Sequence, residues 1–458
     1  MRWRLILLAG LCLALDACTL SGTKEVNSEW RQIGVARVDI TPNYPVRLAG
    51  YAARKTESEG ITHKLWAKAL VIGADKEKPA ILITVDTCGI PTSLRDNLVA
   101  RLAIKGIDPT RVAVCCSHTH SAPLLEGYLP NLFGGPMKLE EQARIHRYTV
   151  EFGQALEQVA LEALKNRQTA KLSWGQGTAM FAVNRRTKGG PVDHDLPALF
   201  ATGQDGRIQA VLAGYACHCT TLTGESNQIC GDWAGFAQES LEKEFPGAVA
   251  MITIGCGGDQ NPFPRPGLEL ARGHGMEIAT NVVDVQRTHS QPLNTPLHCG
   301  LKRMNLDLEP LPSRADWEEL ATRPAHAGYQ ARMNLARLDR GESIPNTVPY
   351  LIQTWSFGSD LSIVFLAGEV VVDYSTRLKR EFAGAPIWVT AYANGVPCYI
   401  PSERILDEGG YEGGGSMVYY DLPARFAPGV ENVIVSGVRT LLNADLAVRT
   451  QKQNSRTQ

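Results

Sequence analysis

The sequence predicts an α/β fold in which mixed β-sheets are flanked by helices. Three observations carry this. Apolar runs of strand length, such as residues 112–116, 208–217 and 248–254, recur along the chain. Between them lie longer segments with apolar residues at helical spacing; in 138–166, Ile145, Tyr148, Phe152, Leu156, Val159 and Ala163 share one face. Strands interleaved with helices read as sheets covered by helical layers. At 458 residues with 44% hydrophobic content, the chain suits one large α/β domain or two or three average ones. Neither an internal repeat nor a linker rich in Pro, Gly or Ser divides residues 30–450, so one large domain is expected there.

Residues 1–18 read as a targeting segment. Arg2 and Arg4 precede an apolar stretch, 5–15, too short to cross a bilayer as a mature helix. Leu15-Asp16-Ala17-Cys18 resembles a bacterial lipobox with Cys18 as the lipid-modified residue. Asp16 stands where a small uncharged residue is usual, which leaves simple secretion as the alternative. Both place the protein in the bacterial cell envelope or outside the cell. No other segment is long and apolar enough to span a membrane.

Residues 19–29 form a polar linker. The run 33–42 is a strand stopped by Pro42, and 65–72 and 80–85 read as paired strands ending at Asp86. A helix is expected at 92–105 and a buried strand at 112–116. After the Gly- and Pro-rich loop 121–137 come the helix 138–166 and strands at 170–175, 197–202 and 208–217. Asp232 is placed to cap a helix at 233–245. The apolar run 248–254 opens into Gly255-Cys256-Gly257-Gly258-Asp259-Gln260-Asn261-Pro262. Helix 268–287, strands at 297–308 and 350–366 with helix 314–341 between them, and strand 386–391 follow. An irregular Gly-rich stretch at 393–416, a last helix at 430–445 and a polar tail at 451–458 complete the chain.

The 46 basic and 47 acidic residues leave a net charge of -1, which excludes a nucleic-acid surface and an anionic-membrane patch as the organising feature. Setting aside Cys12 and Cys18, nine of the 11 cysteines remain. That odd number, in a chain too large to need disulfide staples, reads as buried small apolar residues. Cys217-His218-Cys219 has the look of a metal cluster, but on a strand both thiols face away from His218.

The chemistry concentrates at Ser117-His118-Thr119-His120-Ser121, directly after the strand 112–116. If the strand continued through the motif, His118 and His120 would point to one face. Two imidazoles there can share a metal, or one can ligate while the other touches substrate. A histidine in such a place is ordinarily a hydrogen-bonded core residue, and the pair leaves both readings open. Asp86, Asp232 and Asp259 end strands or begin helices, where capping is the common role. Orienting a metal-bound histidine is the alternative for Asp232 or Asp259.

Taken together, the residues resemble the neutral/alkaline (non-lysosomal) ceramidase family over nearly the whole mature chain. The elements follow in its order: Gly34 to Pro42, Gly50-Tyr51-Ala52, Glu59-Gly60-Ile61, Trp66-Ala67-Lys68-Ala69, His118 to Ser121, Asn184-Arg185, the His218 strand, Gly258-Asp259, Gly368-Glu369 and Cys398-Tyr399-Ile400-Pro401. The resemblance implies a catalytic zinc held by His118, His218, Glu369 and Tyr399. It also implies an oxyanion contact from His120 and Arg185, and a substrate contact from Tyr411.

Two departures are expected. Asn261 stands where the family motif Gly-Asp-Val-Ser-Pro has its active-site serine. The additional C-terminal β-sandwich domain of family ceramidases is not represented. Zinc-bound water as nucleophile tolerates the first change, since Asn261 can donate to the substrate but cannot form an acyl-enzyme. The implied function is a zinc-dependent hydrolase cleaving the amide of an N-acylated, ceramide-like lipid, with loops 124–137 and 402–416 setting specificity. A different amide or ester substrate, or a non-catalytic surface lipoprotein that kept the fold, are the alternatives. The expected partners are the lipid or small-molecule substrate and, through Cys18, the membrane.

Overall fold

The computed structural model describes residues 29–454; the targeting segment with Cys18 lies outside the described residues. A nine-stranded sheet forms the larger layer. From one edge to the other, its main path runs 249–254, 208–215, 195–203, 168–178, 30–39, 66–72, 80–85 and 112–116, and the short strand Gln291–Pro292 pairs beside 168–178. The outermost pairs at both ends are parallel and the interior pairs antiparallel, which makes the sheet mixed. The edge strands Val112–Cys116 and Val249–Ile254 are buried along their whole length. That accounts for their continuous rather than alternating apolar sequence.

A second, four-stranded sheet joins 297–307, 347–357, 361–366 and 387–390. The chain leaving its last strand fastens the first sheet. Ala391 N–H donates to Ile254 C=O, Cys116 N–H donates to Tyr392 C=O, and Asn394 N–H donates to Val114 C=O. Residues 391–394 thus lie between the two edge strands and give each the hydrogen-bond partners that a sheet edge otherwise lacks. Helix Leu139–Lys165 buries Ile145, Tyr148, Phe152, Leu156, Val159 and Ala163, and helix Asp232–Glu244 buries Trp233, Phe236 and Leu241.

Several elements differ from expectation for identifiable reasons. Helix 314–341 is two helices, Arg314–Ala321 and Ala325–Asp339. Pro324 separates them, since the residue before a proline avoids the helical region. The run 350–366 is a hairpin of Thr347–Phe357 and Leu361–Leu366, turned at Gly358 with φ of 50°. Strand 112–116 ends before the histidine motif, because His118 takes a left-handed φ of 56°. Strand alternation is therefore not what brings His118 and His120 together.

Candidate metal centre and substrate cleft

Five chain segments end at one place, beyond the carboxyl ends of strands from both sheets, where α/β folds commonly hold ligands. Strand 112–116 delivers His118, strand 208–215 delivers His218, and 249–254 opens into Gly257. The pair Glu369–Val370 lies parallel to Tyr399–Ile400, with Glu369 directly opposite Tyr399. Gly368 enters this pair at φ of 83°, and its backbone passes so near Cys398 C=O that a Cβ would stand 2.8 Å from that oxygen. Only glycine fits there.

His118 Nδ1 donates to Cys88 C=O at 2.6 Å, and the Tyr392 ring packs 4.3 Å from its own. His218 Nδ1 donates to Gly257 C=O at 2.7 Å, while Trp233 Nε1 donates to the His218 carbonyl. A carbonyl only accepts, so both imidazoles carry their proton on Nδ1. Their Nε2 lone pairs face Glu369 Oε2, at 3.0 Å from His118 and 3.2 Å from His218. Oε2 itself is buried and receives no hydrogen bond. The Tyr420 hydroxyl donates to the other carboxylate oxygen, Oε1.

These three donors lie within 4.8 Å of one another. A buried carboxylate facing two ring nitrogens calls for a positive charge, supplied by a proton on one ring or by a metal ion. Imidazole nitrogen with carboxylate oxygen is a donor set that transition-metal cations accept. The residues therefore fit a metal ion. The Tyr399 hydroxyl, 3.1 Å from His218 Nε2, adjoins the set. Cys88 with His118 and His120 forms a second candidate group sharing His118. Its sulfur sits 3.9 Å from His118 Nδ1, the nitrogen already engaged by the Cys88 carbonyl.

The titration pattern tells the same story. Burial disfavours a charged His118, yet the Glu369 carboxylate outweighs it and raises the pKa to about 10. Burial likewise works against ionised Glu369, and His118 and His218 overcome it, holding the carboxyl well below its ordinary value. Burial and then the Arg185 guanidinium push His218 down to about 4. Burial, reinforced by His118 and His218, keeps His120 neutral. One proton on His118 thus stands where a cation would.

His120 lies beside this centre, its Nε2 3.0 Å from that of His118. Gly50 underlies its ring at φ of 86°, so close that a Cβ would come within 2.4 Å of His120 Cγ. Arg54 donates to the His120 carbonyl at 2.6 Å. Arg185 is half-buried and reaches the centre: Nη2 donates to the Tyr399 hydroxyl at 3.0 Å, and Nη1 faces His218 Nε2 at 3.3 Å. Its Nε donates to Glu412 at 2.7 Å, and Arg186 binds the same carboxylate at 2.6 Å. Arg185, rather than its neighbour, therefore faces the metal residues. Tyr411 is 46% exposed, with its ring 5.2 Å from that of Tyr399.

The cleft over the centre has two lobes that share Gly50, Tyr51, His120, Tyr399 and Tyr411. One, of about 690 Å³, is walled by Tyr128, Leu129, Leu132, Tyr419 and Tyr420, with Glu369 at its floor and Glu225 among its lining. The other, of about 730 Å³, is polar, lined by Arg185, Arg186, Arg265, Thr220, Asn261 and Glu412 with Thr187 and Glu408.

The aspartates play supporting parts. Asp232 accepts from the backbone N–H groups of Thr221, Leu222 and Trp233. Asp86 accepts from Trp66 N–H and Gln238. Asp259, raised to about 6 by burial, accepts from Val372 N–H and Asn184. The backbone carbonyls of Cys88 and Gly257, not these carboxylates, orient the two histidines.

Residues 31–255, which supply His118, His120, Arg185 and His218, match the family described as neutral/alkaline non-lysosomal ceramidase, N-terminal. Through this stretch, just under half of its length, the chain is similar to that family. Neutral ceramidases of Drosophila pseudoobscura pseudoobscura and Drosophila melanogaster are each 24% identical to it, over 276 and 261 residues. These alignments take in 55% and 50% of the chain but only 38% and 36% of the relatives' length. In fold, it resembles a ceramidase complexed with C2 (TM-score 0.69, 18% identity) and the neutral ceramidase of Pseudomonas aeruginosa (0.70, 19%). Each superposition covers 92% of this chain and 75% of the other. The ceramidase fold therefore extends well beyond residue 255.

Sequence reasoning missed four contributors to this centre: the Cys88 and Gly257 carbonyls, Glu412 and Tyr420. The carbonyls have no sequence signal. Glu412 sits beside Tyr411 in the Gly-rich stretch, and Tyr420 belongs to the Tyr419-Tyr420 pair just after it.

Proposed function

We propose that the chain is a zinc-dependent amidohydrolase that cleaves the amide bond of an N-acylated lipid amine, with ceramide as the lead substrate. The observation that carries this reading is the buried convergence of His118 Nε2, His218 Nε2 and Glu369 Oε2, with each ring's Nδ1 committed to a backbone carbonyl so that Nε2 is the atom left for an ion. His118, His218 and Glu369 would hold the ion, with the Tyr399 hydroxyl placed to join them. When bound, zinc lowers the pKa of water to about 7 and polarises a carbonyl.

The chain's own groups do the rest. His120, neutral at working pH, offers one N–H to the carbonyl oxygen as charge develops there. Arg185 stays cationic and brings a fixed positive charge to the same side, aimed by Glu412. Such preorganised donors are often the largest catalytic contribution. Tyr420 keeps its proton, because burial and the Glu369 charge hold its pKa well up, and so pins one carboxylate oxygen. Asn261 lines the polar lobe as an uncharged amide in place of a nucleophilic hydroxyl. The tyrosine-walled lobe suits the acyl chain. Attachment to the cell envelope through Cys18 belongs to the same reading.

The test is fatty-acid release from an N-acylsphingosine by the zinc-loaded protein. Chelation should abolish release and zinc should restore it. Turnover that survives complete removal of zinc would overturn the mechanism. Asn261 in place of the serine also fits a non-catalytic binding protein. In that case His218→Ala would leave ligand affinity intact, whereas in an enzyme it removes metal and turnover together.

A further inference from the structure

We propose that the polar lobe recognises an acidic group on the amine half of the substrate, with Arg265 as its partner. This rests on the amidohydrolase reading for the position of the scissile bond, and it replaces neutral ceramide by an acidic N-acyl amine as the preferred substrate.

The charges of the two lobes differ in kind. The charged residues lining the tyrosine-walled lobe are both acids, Glu225 at its edge and Glu369 at its floor. With Glu369 committed to the metal, Glu225 is the remaining charge of that lining, and no Lys or Arg lines the lobe to attract an anion. The polar lobe is lined by three arginines and two glutamates. Glu412 is shared by Arg185 and Arg186, and Glu408 pairs with Arg186. Arg265 is different: among the described residues its one hydrogen bond to protein is from Nη1 to Thr220 C=O at 3.2 Å, and no carboxylate pairs with it. The rest of its fork is free for an oxyanion, the geometry at which guanidinium excels.

Its surroundings are built to match. Thr220 Oγ1 and Asn261 Oδ1 are buried atoms without a hydrogen-bond partner. Both residues line this lobe together with Arg265. A hydroxyl can donate to an anion, and a side-chain amide can present its N–H₂ by rotation. Arg265 is exposed to the cleft, and the two buried atoms beside it are costly unless a ligand completes them. With the acyl chain in the other lobe and the amide carbonyl over His118 and His218, the amine half enters the polar lobe. The substrate class is then an N-acyl amine bearing a carboxylate or phosphate. Its hydrolysis adds one water across the C–N bond and gives the fatty acid and the acidic amine.

The test compares three substrates of equal acyl length on the whole zinc-loaded chain: N-dodecanoylglycine, N-dodecanoyl-O-phosphoethanolamine and neutral N-dodecanoylethanolamine. At least one acidic amide should exceed the neutral one about tenfold in kcat/KM, the usual reach of a charge-assisted pair. The advantage should shrink as salt rises. Arg265→Gln should bring the ratio toward one, and Arg265→Lys should retain part of it. Arg272→Gln, which removes an exposed cation paired with Glu269 on the next helix, should leave the ratio as it is. Preference for the neutral amide, or a ratio insensitive to Arg265→Gln, overturns the proposal. If no amide is cleaved, the hydrolase reading falls, and calorimetric titration with the same compounds decides. Tighter binding of an acid, lost in Arg265→Gln, upholds the lobe assignment, and equal binding overturns it.

Discussion

His118 Nε2 and Glu369 Oε2 lie 3.0 Å apart, and in the metal-free protein a proton on His118 joins them. A metal ion has to displace that proton. Metal binding at pH 8 should therefore release about one proton per ion, and affinity should rise with pH until His118 titrates near 10. Calorimetry in buffers of different ionisation enthalpy measures the count. Binding without proton release would place the ion elsewhere.

The same pair fixes the stability profile of the metal-free chain. The folded pKa of His118, about 10, lies above the unfolded value of about 6.5. Its contribution is complete below the unfolded value and is lost as pH rises through 10. The melting temperature of the metal-free protein should fall between pH 7 and 10, while that of the metal-loaded protein should fall less. Thermal melts across that range, with and without chelator, check the sign.

Tyr420 donates to the Glu369 oxygen that does not face the histidines. Tyr420→Phe frees the carboxylate to rotate without emptying space. Loss of such outer partners typically lowers metal affinity about 10–100-fold. Competition with a chromophoric chelator measures the loss. Activity at saturating metal should recover much of its value, which would distinguish positioning from chemistry.

Arg185 acts at three places at once, on Glu412, on the Tyr399 hydroxyl and beside His218. Arg185→Lys keeps a charge but loses the fork. A fall of about a hundredfold in kcat is expected, in line with loss of one preorganised donor, with metal content unchanged. Glu412→Gln should produce part of the same effect by releasing the guanidinium. Equal activity in Arg185→Lys would remove the arginine from the oxyanion side.

The fold was legible because its buried strands and amphipathic helices carry different periods, and Ile145 through Ala163 display theirs plainly. The site was legible only in pieces. His118 and His120 stand out as a pair, but the left-handed turn at His118 leaves no trace in a non-glycine residue. Glu369 and Tyr399 were reached by family resemblance, since a two-residue parallel pairing between positions 30 apart has no local signature. Tyr420 lies 51 residues from the carboxylate it holds, and a hydrogen bond of that span emerges only once the chain is folded. Carbonyls such as those of Cys88 and Gly257 are common to all residues, so their choice as partners for the histidines rests wholly on topology.

Gly50 offers a test of how His120 is placed. A Cβ at this position would stand 2.4 Å from the imidazole, on a backbone whose φ of 86° already disfavours a side chain. Gly50→Ala should destabilise the protein by about 1–3 kcal/mol and move His120. Denaturant unfolding gives the first quantity and turnover the second. The atoms a Cβ would meet first all belong to His120, so metal content should persist while activity falls.

Asn261→Ser decides between two nucleophiles. If the hydroxyl were needed to form an acyl-enzyme, restoring it should raise turnover by orders of magnitude, as activated nucleophiles do, and a burst of fatty-acid-linked protein should accumulate. If the attacking oxygen is water at the metal centre, the serine adds little. Asn261 Oδ1 is buried and has no protein partner, so the exchange removes no existing hydrogen bond to that oxygen, and the fold should be preserved. We expect kcat to change by less than about tenfold, within the range of a single lost or gained hydrogen bond, with no covalent intermediate by intact-protein mass spectrometry. A large gain with a trapped acyl adduct would show that the centre at His118, His218 and Glu369 serves only to activate the serine. The asparagine would then mark a chain whose amidase activity is suppressed rather than differently catalysed.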